Sequence, residues 1–211
     1  MESRDDVRTL VKEMMKNKLD SFLELHGFSR KKNTMKYVRT TREANQEIEM
    51  TLFLKPNYEK GAYAHIYPNL TVTMPSVNKI SLEMAGDKLL LANAPDITLR
   101  QPLELVAPKE CRIRWFVKGD NWMEGVGSSM KAFLQKWVLE FLNGYATPLD
   151  IVNCYEKQDR RVIIQEHMYI HIASAYIILG DSKSALEVLE KNFHSKVAIK
   201  RYAKAFEYFN K

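Results

Sequence analysis

Two hydrophobic periods divide the first part of the chain. Apolar residues recur at spacings of three and four from Ser3 to His26, which predicts an amphipathic helix. Ser3 can cap its first turn, and Gly27 suits the left-handed backbone that ends many helices. From Thr34 onward the period shortens toward two, which is typical of a β-strand. The chain is therefore expected to pass from helix to sheet near Gly27.

Alternation of apolar and polar residues is clearest in Glu47–Lys55. Further strands are predicted in Ala62–Met74, where Pro68 should break or bulge the strand, and in Arg112–Val117. A short edge strand is predicted in Ile97–Leu105. Because these strands follow one another in sequence, an antiparallel meander is the expected arrangement.

The remaining patterns are helical. They predict a short helix opening at a Ser76 cap, a long helix over Trp122–Leu142, and four helices beyond Pro148, over residues 149–158, 162–179, 182–192 and 196–210. The fold class is thus α+β: a mostly antiparallel sheet with long flanking helices, followed by an all-helical region. A composition shift near Tyr145 predicts an α+β domain over residues 1–145 and a helical appendage over residues 146–211. Ala173–Leu189 resembles a single tetratricopeptide-type hairpin.

Composition narrows the class of protein. With 211 residues, 45% of them hydrophobic, the chain can bury its own core. Its formal charge of +6 would help association with an acidic partner or a phosphate backbone. Cys111 and Cys154 lie far apart, so reduced thiols are expected. No apolar run reaches the length of a signal peptide or a bilayer span, and a cytoplasmic protein without membrane contact is the expectation.

Motifs for catalysis or metal binding are weak. His167 and His171 have the spacing of a metal pair, but no third ligand is evident, so helix-surface or packed histidines are the preferred interpretation. Gly125–Ser129 resembles a phosphate-binding loop without its spacing, and close helix packing is expected instead. We therefore predict no catalytic residue, no metal site, no cofactor and no enzymatic activity.

Two basic clusters are candidate binding surfaces, formed by Arg30, Lys31, Lys32, Lys36, Arg39 and Arg42 and by Arg112, Arg114 and Lys118. If their strands are neighbours, the charges could merge into one patch. Together with Tyr37 and Phe116, that patch would suit a single-stranded nucleic acid, with cations on the backbone and rings for stacking. A solvated sheet edge protected by its charges is the other interpretation.

A tyrosine-rich hairpin, Tyr58–Tyr67, is also ambiguous. Its tyrosines suit either the core or a protein interface, where tyrosine is a common anchor. Glu47 and Glu49 share one strand face, and a solvated or partner-facing role is favoured there over catalysis.

The opening stretch carries a family resemblance. A helix closed by Gly27 and Phe28, then Arg30, Lys31, Thr34 and Tyr37, resembles a GF-RK-type bacterial domain family associated with immunity proteins of polymorphic-toxin and contact-dependent growth inhibition systems. The resemblance covers roughly Val7–Tyr145, and its motif residues look structural. It implies a cytosolic protein that binds one toxin domain, often a nuclease, and blocks its active site.

The leading prediction is therefore a non-enzymatic immunity protein with a toxin domain as its partner. Such inhibitors are commonly acidic, so this basic chain departs from the pattern, and a local acidic patch such as Glu43, Glu47 and Glu49 could make the contact. A single-stranded nucleic-acid-binding domain is the alternative. The candidate partner-binding residues are Arg30, Lys31, Arg39, Glu47, Glu49, Tyr58, Glu59, Arg112 and Arg114.

Overall fold

A computed structural model describes residues 3–210 and shows an α+β fold built on an antiparallel sheet. The described strands are β1 (Ser29–Arg30), β2 (Lys36–Thr40), β3 (Asn45–Leu54), β4 (Ala64–Thr73), β5 (Leu99–Pro102) and β6 (Trp115–Val117). The strand order is β1-β2-β3-β4-β5, and β6 also pairs with β4. In that antiparallel pair, His65 lies opposite Phe116. The predicted fold class is confirmed.

Helices make up most of the rest of the described chain. They are α1 (Arg4–Lys18), α2 (Asp20–Glu24), α3 (Pro75–Ala85), α4 (Trp122–Phe133), α5 (Leu139–Asn143), α6 (Pro148–Glu156), α7 (Met168–Ile178), α8 (Ser182–Asn192), α9 (Lys196–Arg201) and α10 (Ala203–Glu207). A π-helical turn, Leu134–Val138, joins α4 to α5. Among residues 3–210, none of the helices combines the length and apolar character needed to cross a bilayer.

The chain forms two compact units. The first unit contains Met1–Thr40, Gln46–Leu70 and Gln101–Asn143, and the second contains Thr41–Asn45, Thr71–Arg100 and Gly144–Lys211. Both are assembled from separate stretches of sequence. The division into an α+β domain over residues 1–145 and a helical appendage over residues 146–211 remains a prediction.

The core of the first unit lies between its helices and one side of its strands. Trp115 of β6 packs edge to face against Phe133 of α4, with ring centroids 5.3 Å apart. Helices α1 and α4 approach closely at Gly127, where an added Cβ would lie 2.6 Å from Lys18 Cγ and 3.4 Å from Met14 Sδ. The prediction of close helix packing at the glycine-rich segment is confirmed at Gly127, whereas a Cβ at Gly125 would meet no such neighbour.

The second unit is organised around α7. This helix packs against α3, α6 and α8, and its residues from Ile170 to Tyr176 are all buried. A helix that is apolar on every side is buried on every side, since it has no face that prefers water. The tetratricopeptide-like stretch corresponds to the successive helices α7 and α8, which contact each other and are joined at Gly180, whose φ is +82°.

Several helix boundaries confirm the sequence pattern. Ser3 caps α1 through a capping box with Asp6, and the two partners are 3.1 Å apart in both hydrogen bonds. Gly27 has φ +80°, as its predicted role requires, and Phe28 is buried behind it. The predicted helix is interrupted, however, since Leu19 separates α1 from α2.

Other local predictions are wrong. β4 runs through Pro68 as one strand, because the φ of proline is compatible with extended backbone even without an N–H donor. Ser76 does not cap α3, which begins one residue earlier with Pro75 at its first position, where a missing N–H costs nothing. α7 begins at Met168 rather than at Val162, and β6 excludes Arg112 and Arg114.

Candidate partner-binding face

The strands of the first unit have two sides with different chemistry. Ile48 and Met50 of β3 and Ile66 of β4 are fully buried on the core side. The alternate residues form the other side, which we call the open face: Glu47, Glu49, Thr51 and Phe53 of β3, His65, Tyr67 and Asn69 of β4, and Phe116 of β6. Because side chains alternate along a strand, the same period that builds the core also builds this surface.

An aromatic cluster occupies one part of the open face. It consists of Phe53, Tyr58, His65, Tyr67 and Phe116. Tyr58, in the hairpin between β3 and β4, shares a 2.8 Å hydrogen bond between its hydroxyl and Nδ1 of His65. The His65 ring lies 4.9 Å from Phe116 and 5.6 Å from Tyr67, measured between centroids. His65 is thus the centre of the cluster.

Tyr58 and Phe53 remain open to solvent although they are held in place. Their exposed fractions are 51% and 56%, and their rings stack with centroids 6.3 Å apart. The guanidinium carbon of Arg114 lies 5.9 Å from the centroid of the Tyr58 ring, within the range of a cation–π contact. The cluster therefore exposes two aromatic rings and one cation, and the contacts with His65 and Phe116 hold Tyr58 in place.

The side chains beneath the two exposed rings, His65 and Tyr67, are uncharged. Burial lowers the pKa of His65, and the positive charge of Arg114 lowers it further. Burial also raises the pKa of Tyr67, with a further contribution from Glu104. At neutral pH His65 is uncharged, so positive charge enters the cluster through Arg114.

Paired charges lie beside the cluster. Lys36 Nζ lies 2.8 Å from Glu47 Oε1 and 3.4 Å from Glu49 Oε2 on the open face. The hydrogen bond to Glu47 raises the pKa of Lys36 despite partial burial, so its ammonium group stays charged. Lys118 and Glu59 form another ion pair, 2.6 Å apart. Charged residues around an aromatic centre are the usual anatomy of a protein interface.

The structure divides the predicted binding residues into two groups. Glu47, Glu49, Tyr58, Glu59 and Arg114 belong to the open face or its hairpin border. The others lie elsewhere: Arg30 pairs with Asp20 at 3.0 Å, Arg39 contacts Gln46, His26 and Asn143, and Lys31 and Arg112 are exposed. Arg39 is half-buried and stabilises the fold through these contacts. A cluster of basic residues in the sequence does not show which of its members has such a structural role.

The condition for merging the two basic clusters is not met. β3 and β4 lie between β2 and β6 in the sheet, and Arg112, Arg114 and Lys118 flank β6 rather than lying in it. Tyr37 is also fully buried, and its hydroxyl donates a 2.6 Å hydrogen bond to Asp20. It cannot act as a stacking surface for a base.

The central roles of Phe53 and His65 were missed at the level of sequence. The signal that could have found Phe53 is its position as an aromatic residue on the polar side of an alternating strand. His65 and Tyr67 share one face by their period of two, but the strand opposite them could not be read from the sequence. The pairing of His65 with Phe116 joins residues from distant parts of the chain.

The histidine pair of α7 lies in the second unit. The rings of His167 and His171 are 6.2 Å apart between centroids, and His171 is packed, with 1% of its surface exposed. Across residues 3–210, the structure brings together no group of three or more metal-ligating side chains.

Comparison with family models, curated proteins and solved structures finds no match to this chain.

Proposed function

We propose that this protein is a non-enzymatic immunity protein that neutralises a toxin domain by binding it through the open face. The observation that supports this proposal most directly is the half-exposed Tyr58, fixed by His65 and bordered by Phe53 and Arg114. Tyrosine and arginine are enriched among the residues that dominate binding energy in protein interfaces. A tyrosine already held by its neighbours also loses little conformational entropy on binding.

Toxin neutralisation is supported by the family resemblance of the opening stretch. Gly27, Phe28 and Tyr37 have structural roles: a left-handed turn, a buried ring and a buried hydroxyl bonded to Asp20. Residues that fix the fold can be shared by relatives while the binding surface differs from one member to the next. A cytosolic location and a nuclease as the target belong to the same proposal.

A protein partner is favoured over nucleic acid by the charges of the open face. Glu47 and Glu49 lie on the same face as the exposed rings, and Glu59 lies in the adjoining hairpin. Glu59 is balanced by Lys118, and Glu47 and Glu49 share the one ammonium group of Lys36, so this surface carries charges of both signs. Its carboxylates repel a phosphate backbone, whereas charged side chains of a protein can pair with both signs. The first basic cluster lies on and beside β1 and β2 and the second flanks β6, with β3 and β4 between β2 and β6, an arrangement that does not favour a continuous phosphate track.

The test is binding to the toxin domain encoded beside the gene for this protein. Tyr58→Ala should weaken binding by roughly 30-fold or more and Arg114→Ala by about 10-fold, as expected for interface anchors. Leu89→Ala and Arg160→Ala remove exposed side chains of the second unit and serve as controls. Isothermal titration calorimetry gives both affinity and stoichiometry, which should be one to one.

Two results would contradict the proposal. One is unchanged affinity in both open-face variants, which would place the interface elsewhere. The other is salt-sensitive binding of a single-stranded oligonucleotide that is lost in the Arg112→Ala, Arg114→Ala double variant, without any toxin binding. That result would favour the nucleic-acid alternative.

A further inference from the structure

The first unit contains a groove between the segment that precedes β6 and the second half of α4. Its volume is about 380 Å³, and its walls include Cys111, Ile113, Ser129, Ala132, Phe133 and Trp137. This volume is at the lower end of the range found for small-molecule sites in proteins. The groove is therefore large enough for a small ligand with a flat ring system.

Part of the groove wall is held in place by the core. Phe133 is buried and packs edge to face against Trp115, with ring centroids 5.3 Å apart, and Nε1 of Trp115 donates a 3.1 Å hydrogen bond to Ser129 Oγ. Ile113 and Trp137 add apolar surface that solvent can reach, since Ile113 is 38% exposed and Trp137 is half-buried. The groove thus offers an apolar surface that exists before any ligand binds.

Two cations also line the groove. Arg112 and Lys136 are both exposed, and neither forms an ion pair within residues 3–210. Nε of Arg112 donates to the Ala107 carbonyl oxygen at 3.3 Å, which leaves the two terminal amino groups of the guanidinium without a described partner. Lys136 Nζ lies 4.8 Å from the centroid of the Trp137 ring, a cation–π contact. One positive charge is therefore held directly beside an aromatic wall.

The charges of the groove favour an anionic ligand. Glu110 is the acidic residue among the side chains that line it, so two cations are present for one carboxylate and the net charge is positive. A guanidinium group with free terminal amino groups can bind a carboxylate through two parallel hydrogen bonds. A ligand carboxylate would thus find partners that no described side chain occupies.

The backbone beside the groove is also unusual. Lys136 and Trp137 both lie in the π-helical turn Leu134–Val138. Such turns are rare and occur frequently at functional sites. The cation and the ring that would contact a ligand are thus both placed by this turn.

We propose that this groove binds a small molecule composed of a flat aromatic ring system and one carboxylate. The ring system lies against Ile113, Phe133 and Trp137. The carboxylate pairs with Arg112 and Lys136.

This inference does not rest on the proposed function. Trp115 and Phe116 point to opposite sides of β6, because successive side chains of a strand alternate. Trp115 supports the groove, whereas Phe116 belongs to the open face. Binding in the groove and binding at the open face can therefore fail independently.

The probes that test this proposal are 2-naphthoate and 2-naphthamide, which have the same ring system and differ in negative charge. The full chain is labelled with 5-fluorotryptophan, and its three tryptophans give three ¹⁹F NMR signals, of which that of Trp137 is identified by its absence in Trp137→Phe. We expect both probes to shift the Trp137 signal. At low salt 2-naphthoate should bind about 5-fold more tightly, the factor expected of exposed ion pairs, and salt should reduce this preference.

Two matched double variants separate the groove from the overall charge of the chain. Arg112→Gln with Lys136→Gln should abolish the preference for 2-naphthoate and leave the affinity for 2-naphthamide unchanged. Arg160→Gln with Lys196→Gln removes the same charge from exposed positions of the second unit and should preserve the preference. All four side chains are exposed, so the variants are expected to fold.

Three results would overturn the proposal. The first is a Trp137 signal that does not move at millimolar 2-naphthoate. The second is equal affinity for the two probes at low salt. The third is a preference for 2-naphthoate that the groove double variant retains, or that both double variants lose equally.

Discussion

The two units each contain a histidine with perturbed ionisation, but the surroundings of the two rings differ. His65 in the first unit lies near the surface, with its Nδ1 bonded to Tyr58 and its ring surrounded by other rings that reach solvent. His171 in the second unit lies in the buried part of α7, with Nδ1 bonded to Ser81 and Nε2 bonded to nothing among the described residues. Burial lowers the pKa of both.

This difference shows that burial alone does not define a site. At His65, Nδ1 is hydrogen-bonded to Tyr58, and aromatic side chains beside the histidine reach solvent. The side chains available to a partner are therefore those that His65 holds in place. At His171 the ring is enclosed, and one of its nitrogens has no hydrogen-bond partner among the described residues. The first arrangement supports a surface, whereas the second imposes a desolvation cost on the core.

The largest expected effect concerns acid stability. Because folding lowers the pKa of His171 from 6.5 to about 3, its contribution to stability is fully present above pH 6.5 and is lost as the pH falls toward 3. Between pH 6.5 and 4.5 the free energy of unfolding should fall by about 2 kcal/mol from this residue. Denaturant unfolding at a series of pH values measures that slope.

Replacement of each histidine then sharpens the comparison. His171→Gln should remove most of the slope, whatever its effect on absolute stability, and His65→Gln should remove less because His65 is nearer the surface. If the free energy of unfolding depends on pH equally in the two variants, the two histidines contribute equally to acid sensitivity and the contrast between the units is wrong.

The next effect concerns steric fit in the first unit. Gly127→Ala places a methyl group against the stem of Lys18, and should cost about 1 to 3 kcal/mol of stability through overpacking. Gly125→Ala in the same helix meets no atom of residues 3–210 within 4 Å, and should stabilise the helix by up to about 1 kcal/mol. Thermal unfolding of both variants measures the contrast, and equal effects would show that α1 and α4 are less closely packed than described.

The smallest effect tests the electrostatics of the aromatic cluster. Arg114→Ala removes a positive charge near His65 and should raise its pKa, while the pKa of His171 stays unchanged. Because Arg114 is exposed, global stability should change by less than about 0.5 kcal/mol. An NMR titration of the two histidines provides the measurement. A change in the pKa of His171 would contradict the conclusion that Arg114 acts on His65 and not on His171.

Local features of the fold could be predicted from the sequence because they depend on neighbouring residues. The periods of three to four and of two located α1 and β3, and Ser3 and Gly27 marked helix ends through backbone chemistry that acts over a few residues. Strand order could not be predicted in the same way. The pairing of β6 with β4 depends on residues some fifty positions apart, and this pairing decides which basic residues are neighbours.

The sites show the same division. Tyr58 and Arg114 could be named as candidates from residue type, but their contact required the tertiary structure. The burial of His171 had a readable signal, since MYIHIASAYII is apolar all round and such a helix belongs in a core. What the sequence could not supply was Ser81 across from it, which fixes one nitrogen and leaves the other without a partner.

The π-helical turn at Leu134–Val138 has a consequence for the direction of the side chains that follow it. A π turn accommodates one residue more than an α-helical turn, and each helical residue advances the direction of the side chains by about 100°. The wider turn therefore changes the spacing of the inward-facing positions along the segment from Trp122 to Asn143. Leu134, Val138, Leu139, Phe141 and Leu142 are all buried there.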